Sequence, residues 1–93
     1  MSLTMPKANS PSADINQLVR ELRVLCGLTQ EQFAAKLGVT LVTVNRWEND
    51  RAKPMPLALR QLNALTIEMS QFGSEADRET AHRLLKQYFP KNF

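Results

Sequence analysis

Apolar side chains recur along the chain at intervals of three and four residues, the spacing that places them on one face of an α-helix. The first series predicts a helix over about residues 15 to 26, with Asp14 positioned to cap its start and Gly27 to end it. Its apolar positions are Ile15, Leu18, Val19, Leu22 and Cys26. A polar stretch without periodicity precedes this helix, and we expect residues 1 to 13 to form a disordered arm.

Two short helices follow within about 20 residues. Thr29, with Gln32 three positions later, has the spacing of a capping box, and it predicts a second helix over about residues 30 to 37, ended by Gly38. Thr40 is a candidate N-cap for a third helix reaching about Asn49. The inward-facing side chains of these two helices are predicted to be Phe33, Ala34, Leu37, Val44 and Trp47.

The last third of the chain predicts two longer helices. Pro56 suits a first helical turn, and an apolar stripe continues from there towards Met69 or Phe72. Gly73 and Ser74 interrupt the pattern, and a fifth helix follows until Pro90. Its stripe comprises Ala81, Leu84, Leu85 and Tyr88. Because no alternating run is bounded by hairpin turns, the predicted class is all-α with about five helices.

The composition of the chain argues against several classes of function. Cys26 is the one cysteine and His82 the one histidine, so neither an internal disulfide nor a zinc cluster is expected. No window has the 18 or more apolar residues of a membrane span. No Gly-rich loop or nucleophile accompanies the carboxylates, so the sequence predicts neither catalysis nor a cofactor. We expect a cytoplasmic protein.

The net charge of +3 is unevenly distributed. Residues 15 to 60 carry seven basic and four acidic side chains, whereas residues 61 to 93 carry four of each. Residues 1 to 14 carry one of each, so the whole excess lies in the middle of the chain. This asymmetry favours one surface for an anion and a different role for the tail.

Two short helices joined by a glycine-containing turn have the proportions of a helix-turn-helix. The stretch GLTQEQFAAKLGVTLVTVNRWENDRAKP, residues 27 to 54, resembles the Cro/C1-type (XRE family) motif of phage repressors and bacterial regulators. The resemblance extends over about residues 15 to 65. It implies a lambda-repressor-like domain over residues 14 to 72, extended by a C-terminal helix within residues 73 to 93.

The resemblance also implies structural roles. Ala34 occupies the position where the second and third helices cross, and Gly38 forms the turn between them. Arg23 and Glu48 match an ion pair of the family that would hold the third helix, although two solvated charges are the alternative. The remaining positions expected to be structural are Val44 and Trp47.

The third helix is the expected recognition helix, over residues 40 to 49, with its exposed face in the major groove. The positions expected to contact bases are Leu41, Val42, Asn45 and Arg46. Arg46 suits guanine, because a guanidinium can bond its O6 and N7 atoms together. The phage repressors commonly have polar residues at the positions of Leu41 and Val42, so this pair suits either thymine methyl groups or a protein partner. Asp50 replaces the usual glycine and adds negative charge near the expected phosphate path.

Phosphate contacts are expected from the start of the second helix and from around the third, where N–H groups and basic side chains favour an anion. The expected set is Arg23, Thr29, Gln30, Thr43, Asn49, Arg51 and Lys53. The expected function is a sequence-preferring regulator of transcription that binds double-stranded DNA, either a repressor or an activator. The alternatives are an antitoxin, which binds DNA and a toxin, and a protein-interaction domain without DNA binding.

The electrically neutral tail leaves two interpretations open. Leu84, Leu85, Tyr88, Phe89 and Phe93 could complete an intramolecular core or form the two-fold interface of a homodimer. A homodimer is expected because a single module binds DNA too weakly to find one site, and two modules on half-sites about 34 Å apart are the common remedy.

Overall fold

A computed structural model describes residues 15–92, which form five α-helices followed by a short 3₁₀-helix. None of these residues lies in a β-strand. The predicted all-α class is confirmed, and the observed helix bounds either match the predicted ones or lie within one or two residues of them. The elements are α1 (Ile15–Leu25), α2 (Gln30–Leu37), α3 (Leu41–Glu48), α4 (Pro56–Phe72), α5 (Glu75–Tyr88) and the 3₁₀-helix Pro90–Asn92.

Three of the helices, α2, α3 and α5, begin after a residue whose side chain caps them. The Thr29 hydroxyl accepts a hydrogen bond from the Gln32 N–H, and the Gln32 side chain accepts one from the Thr29 N–H, which completes the capping box of α2. Thr40 and Ser74 cap α3 and α5 in the simpler way, each accepting from an N–H three residues later. These side chains satisfy N–H groups that have no partner within their own helix.

The first three helices end with the same hydrogen-bond pattern, in which one residue adopts a left-handed conformation and its N–H and the next bond back to the last turn. Glycine occupies the left-handed position after α1 and α2, with φ of 70° at Gly27 and 76° at Gly38. After α3 the same position is held by Asp50, with φ of 58°. Asp tolerates this conformation better than most residues.

The core lies where α1, α2, α3 and α4 meet. Phe33 and Val44 are fully buried at its centre, and Ala34 is 3% exposed. Because Ala34 has only a methyl side chain, α2 can approach its neighbours closely at this point. The other buried apolar members of this cluster are Val19, Leu22, Leu37, Trp47, Leu62 and Leu65.

The apolar stripe of α5 lies inside the molecule. Leu84 and Tyr88 form a second cluster with Ile15 and Leu18 of α1, and Leu85 is also buried. Phe89 packs partly buried against both clusters. Leu84, Leu85 and Tyr88 are therefore not available to a second protein chain. Phe93 and the predicted arm of residues 1 to 13 lie outside the described residues.

The turn between α4 and α5 brings the two helices close together. A Cβ atom at Gly73 would lie 2.9 Å from Cβ of Asp77 and 3.0 Å from the carbonyl oxygen of Met69. Gly73 itself has an ordinary extended backbone, so it is required here for lack of space and not for its φ angle. The close turn folds α5 back along α4 and against α1.

Candidate nucleic-acid interface

The α3 helix divides cleanly into a buried and an exposed face. Val44, Trp47 and Glu48 are all buried, which fixes the rotation of the helix about its axis. The opposite face carries the side chains that are exposed to solvent, and it brings all four predicted base-contacting residues together. These exposed residues are Leu41, Val42, Asn45, Arg46 and Asn49.

The exposed face is apolar at its start and polar at its end. Leu41 and Val42 are 45% and 63% exposed, which is unusual for large aliphatic side chains. One turn later, Asn45, Arg46 and Asn49 line a depression of about 470 Å³ together with Arg51. Two guanidinium groups and two amides therefore converge at the C-terminal end of α3, and each can donate hydrogen bonds to an anion or to a base edge.

Glu48 anchors the C-terminal end of α3 to α1. Its side chain is only 2% exposed, and Nε of Arg23 donates to Oε2 at 2.6 Å. Nη2 of Arg23 donates to Oε1 at 3.1 Å, so the guanidinium holds the carboxylate with two bonds. The predicted ion pair is therefore present, and the solvated alternative is not.

The environment of this pair fixes its charge. Burial acts to raise the pKa of Glu48, but hydrogen bonds from Arg23 and Gln30 and the charges of Arg23 and Arg20 outweigh it, and the net pKa is lowered. The hydrogen bond to Glu48 likewise raises the pKa of Arg23. Both groups therefore remain ionised near neutral pH.

The side chain of Gln30 joins the buried Glu48 to the exposed surface of α3 through two hydrogen bonds. Its Nε2 atom donates to Oε1 of Glu48 at 3.0 Å, and its Oε1 accepts from Nδ2 of Asn45 at 3.3 Å. The start of α2 thus connects a buried carboxylate to an exposed residue of α3. The sequence marks Gln30 as a site position, but it does not show this bridge.

Arg20 is a contributor that the sequence analysis missed. Its Nη2 donates to the backbone carbonyl of Glu48 at 3.2 Å, at the end of α3 where carbonyl groups lack helical partners. Its Nε also lies 3.7 Å from Oε1 of Glu48. The spacing of Arg20 and Arg23, three residues apart on one helix, is the feature that could have indicated a shared partner.

The predicted phosphate-contacting residues fall into two groups. Arg23 has three of its nitrogen atoms engaged inside the protein, since Nη1 also donates to the carbonyl of Leu28, and its side chain is 19% exposed. The hydroxyls of Thr29 and Thr43 are used in the caps of α2 and α3. In contrast, Asn49, Arg51 and Lys53 are exposed around the end of α3.

A carboxylate lies among these basic residues. Nζ of Lys53 is 3.3 Å from Oδ1 of Asp50, and both side chains are more than half exposed. The left-handed backbone at Asp50 places this acid on the same surface as Arg51 and Lys53. Asp50 therefore neutralises part of the positive charge of the loop that follows α3.

The family comparison agrees with this geometry. A family model described as Helix-turn-helix matches residues 19–68, which include α2, α3 and most of α1 and α4. The chain belongs to the Cro/C1-type helix-turn-helix (XRE) family. No curated protein and no solved structure is a significant match to the chain.

As a member of the XRE family, the chain is a DNA-binding helix-turn-helix regulator with a lambda-repressor-like fold. The α5 helix lies beyond the matched residues. Among residues 15–92, none of the helices combines the length and the hydropathy of a membrane-spanning segment. Within the same residues, no three His, Cys, Asp or Glu side chains are grouped in a way that could hold a metal ion.

Proposed function

We propose that this XRE-family protein is a sequence-preferring transcriptional regulator that inserts α3 into the major groove of double-stranded DNA. The observation that carries the proposal is the exposed face of α3, where Leu41, Val42, Asn45 and Arg46 lie side by side. A single helix fits the major groove, and these four side chains can make both apolar and hydrogen-bonded contacts there. The protein would act in the cytoplasm by occupying sites near a promoter, as a repressor where it blocks the polymerase, without a cofactor or catalytic step.

The individual side chains have different proposed roles. Arg46 bonds guanine O6 and N7, and Asn45 bonds an adjacent base from an orientation set by Gln30. Leu41 and Val42 contact thymine methyl groups, which carry no hydrogen-bond information. Preference at those positions therefore comes from shape and apolar contact.

The phosphate contacts are proposed to flank this face. Asn49, Arg51 and Lys53 follow α3, while Thr29, Gln30 and Thr43 mark the N-terminal turns of α2 and α3, where N–H groups favour an anion. We leave Arg23 out of this set, because its guanidinium is bonded to Glu48 and Leu28. Its role is to hold α3 at a fixed angle.

Two copies of the protein are proposed to bind DNA together. One module of this size reads few base pairs, and a two-fold dimer doubles the contacts on half-sites about 34 Å apart. Because the apolar stripe of α5 is buried, the two copies are proposed to pair through another surface.

A second function is favoured by one specific observation. The exposed pair Leu41 and Val42 is suited to a protein partner as well as to thymine. This supports the alternative of an antitoxin that binds DNA and covers a toxin with the same face. In that case toxin and DNA would compete for α3, whereas a toxin held elsewhere would leave DNA binding unchanged.

A salt series of binding to mixed-sequence duplex DNA tests the proposal. If the module neutralises roughly four phosphates, the slope of log K against log salt concentration is about −3.6. No measurable affinity at about 50 mM salt, where phosphate contacts are strong, would contradict both DNA-binding functions.

A further inference from the structure

The side-chain amides of Gln30 and Asn45 form a chain of hydrogen bonds that begins at the carboxylate of Glu48. Nε2 of Gln30 donates to Oε1 of Glu48 at 3.0 Å, and Nδ2 of Asn45 donates to Oε1 of Gln30 at 3.3 Å. Glu48 is buried, whereas Asn45 is exposed on α3. The chain of hydrogen bonds therefore joins the interior to one of the four side chains that are proposed to contact bases.

The direction of each hydrogen bond in this chain follows from the carboxylate. An ionised carboxylate only accepts hydrogen bonds, and Glu48 accepts two from Arg23 and one from Gln30. Gln30 must turn its NH2 group towards Glu48, because its carbonyl oxygen would otherwise face another acceptor. Oε1 of Gln30 then faces α3, where it can bond only a donor. Asn45 must therefore turn Nδ2 towards α2.

This direction determines which atom of Asn45 is left for a ligand. Three residues along an α-helix correspond to a rotation of about 300°, so Asn45 lies about 60° from Glu48 around α3, on the side of the exposed face that is next to α2. The two polar atoms of an amide project from Cγ in different directions, so turning Nδ2 towards α2 leaves Oδ1 on the exposed side. Within residues 15–92, Oδ1 of Asn45 accepts no hydrogen bond. A free acceptor is thus held in one place.

An acceptor held in one place distinguishes the bases by a single chemical group. In the major groove, adenine and cytosine present an amino group, while guanine and thymine present an oxygen atom. Oδ1 of Asn45 accepts from an amino group and is repelled by an oxygen atom. The second hydrogen of Nδ2 suits N7 of adenine, which favours adenine over cytosine. An amide that could turn would bond either class of base, since it could present Oδ1 or Nδ2.

We propose that the buried Glu48 acts through Gln30 to fix the amide of Asn45, so that Asn45 selects a base that carries an amino group, adenine before cytosine. This rests on the proposed insertion of α3 into the major groove, and it specifies the chemical class of one base in the site. Gln30 is a positioning residue, because it acts through Asn45. Arg46 is not part of this chain of hydrogen bonds, so its preference for guanine is independent of it.

Affinity ratios for duplexes that differ at one base pair test this selection. The position read by Asn45 is the one at which Asn45→Ala changes the preference. There the unchanged protein should bind an adenine duplex about tenfold more tightly than a guanine or thymine duplex, with cytosine between them. A ratio of two affinities measured with the same sample does not depend on the fraction of protein that is folded.

Two variants interrupt the chain of hydrogen bonds at different points. Gln30→Met removes the amide of Gln30, so Asn45 can turn and the ratio should fall to within about threefold. Glu48→Gln replaces a group that only accepts by one that also donates, and the ratio should fall in the same way. Gln32→Met is the matched control, because Gln32 lies in the same turn of α2 but bonds Thr29, and the ratio should stay unchanged.

A rescue variant separates loss of orientation from loss of stability. Both oxygen atoms of a carboxylate accept hydrogen bonds, so Asn45→Asp presents an acceptor in either orientation. In a Gln30→Met background it should restore the preference for an amino group, while its negative charge weakens the binding of every duplex. The proposal is overturned if the double variant is not selective, if Gln30→Met keeps the full ratio, or if the unchanged protein shows no preference or prefers guanine or thymine at this position.

Nuclear magnetic resonance of the protein without DNA keeps this test distinct from that of the proposed function. Glu48→Gln should move the side-chain amide signals of Asn45, because its effect passes through Gln30. In a Gln30→Met background, the same substitution should leave these signals in place. Signals that do not move, or that move equally in both backgrounds, would overturn the proposal. If the unchanged protein binds no duplex, the DNA-binding proposal fails, and these signals still decide whether Glu48 controls Asn45.

Discussion

The Nε atom of Arg23 lies 2.6 Å from Oε2 of Glu48, which connects α1 to the last residue of α3. Gln30 bonds the same carboxylate and also bonds Asn45 on the exposed face. Through these contacts, a buried acid determines how α3 is presented to solvent. The orientation of α3 therefore depends on residues that lie outside its exposed face.

Loss of Arg23 should cost far more stability than loss of a surface arginine. Arg23→Ala leaves the carboxylate of Glu48 buried without its main partner, and we expect a loss of about 3 kcal/mol in the free energy of unfolding. Arg83→Ala is the matched control, because Arg83 pairs with Glu21 at 2.8 Å but both side chains are well exposed. It should cost under about 1 kcal/mol. Urea unfolding measures the loss in the free energy of unfolding for each variant. Equal losses would show that the buried pair of Arg23 and Glu48 stabilises the protein no more than the exposed pair of Arg83 and Glu21 does.

The lowered pKa of Glu48 predicts a specific loss of stability in acid. Because its pKa is lower in the folded state than the ordinary value of about 4.3, its ionised form stabilises the protein above that pH. The contribution is lost as the pH falls through the folded-state pKa. Relative to Glu48→Gln, the unchanged protein should be about 2 kcal/mol more stable at pH 7.

This advantage should shrink steadily in unfolding experiments performed at successively lower pH, beginning below about pH 5. An advantage that stayed constant down to about pH 2.5 would show that the ionisation of Glu48 is not linked to folding.

Asp50 should weaken the binding of every duplex by holding Lys53. Asp50→Asn keeps a residue that tolerates the left-handed conformation and removes the charge beside Nζ of Lys53. The variant should bind mixed-sequence DNA more tightly, and the slope of log K against log salt should become more negative by about 0.9 if one further phosphate is neutralised. In a Lys53→Met background, the same substitution should have a smaller effect. A gain of equal size in both backgrounds would show that Asp50 does not act through Lys53.

The exposed pair at the start of α3 should sense thymine methyl groups. Replacing contacted thymines by uracil removes one methyl group each and should cost about 0.8 kcal/mol, or roughly fourfold in affinity, per position. Val42→Ser should bind thymine and uracil duplexes alike, and its stability should be unchanged because Val42 is 63% exposed. If the unchanged protein did not distinguish the two duplexes, the apolar pair would instead be assigned to a protein partner.

The sequence predicts the helices well because their determinants are local. Capping residues such as Thr29 and Thr40, the turn at Gly38 and the three- and four-residue spacing of apolar side chains all act within one or two turns. Local sequence determinants do not show whether the apolar stripe of α5 is buried within its own chain. An apolar face packs equally well against its own chain or a second copy, and only the tertiary contacts of Leu84 and Tyr88 distinguish the two.

The sequence predicts which residues belong to the candidate site, but it does not predict the hydrogen bonds that join them. Periodicity alone places Arg46 outside the buried face that Val44 and Trp47 form on α3, and family resemblance suggests the pair of Arg23 and Glu48. That Gln30 joins Glu48 to Asn45 depends on side-chain rotamers and distances across three helices, which no spacing in the sequence encodes.

Selection from a pool of random duplexes tests the central claim, that the exposed face of α3 reads bases. The unchanged protein should enrich a motif that contains guanine, and Arg46→Ala should lose preference at that position by about 1 to 3 kcal/mol. Lys53→Ala should enrich the same motif as the unchanged protein with uniformly lower affinity. No enriched motif for the unchanged protein, or an identical motif for Arg46→Ala, would contradict the account.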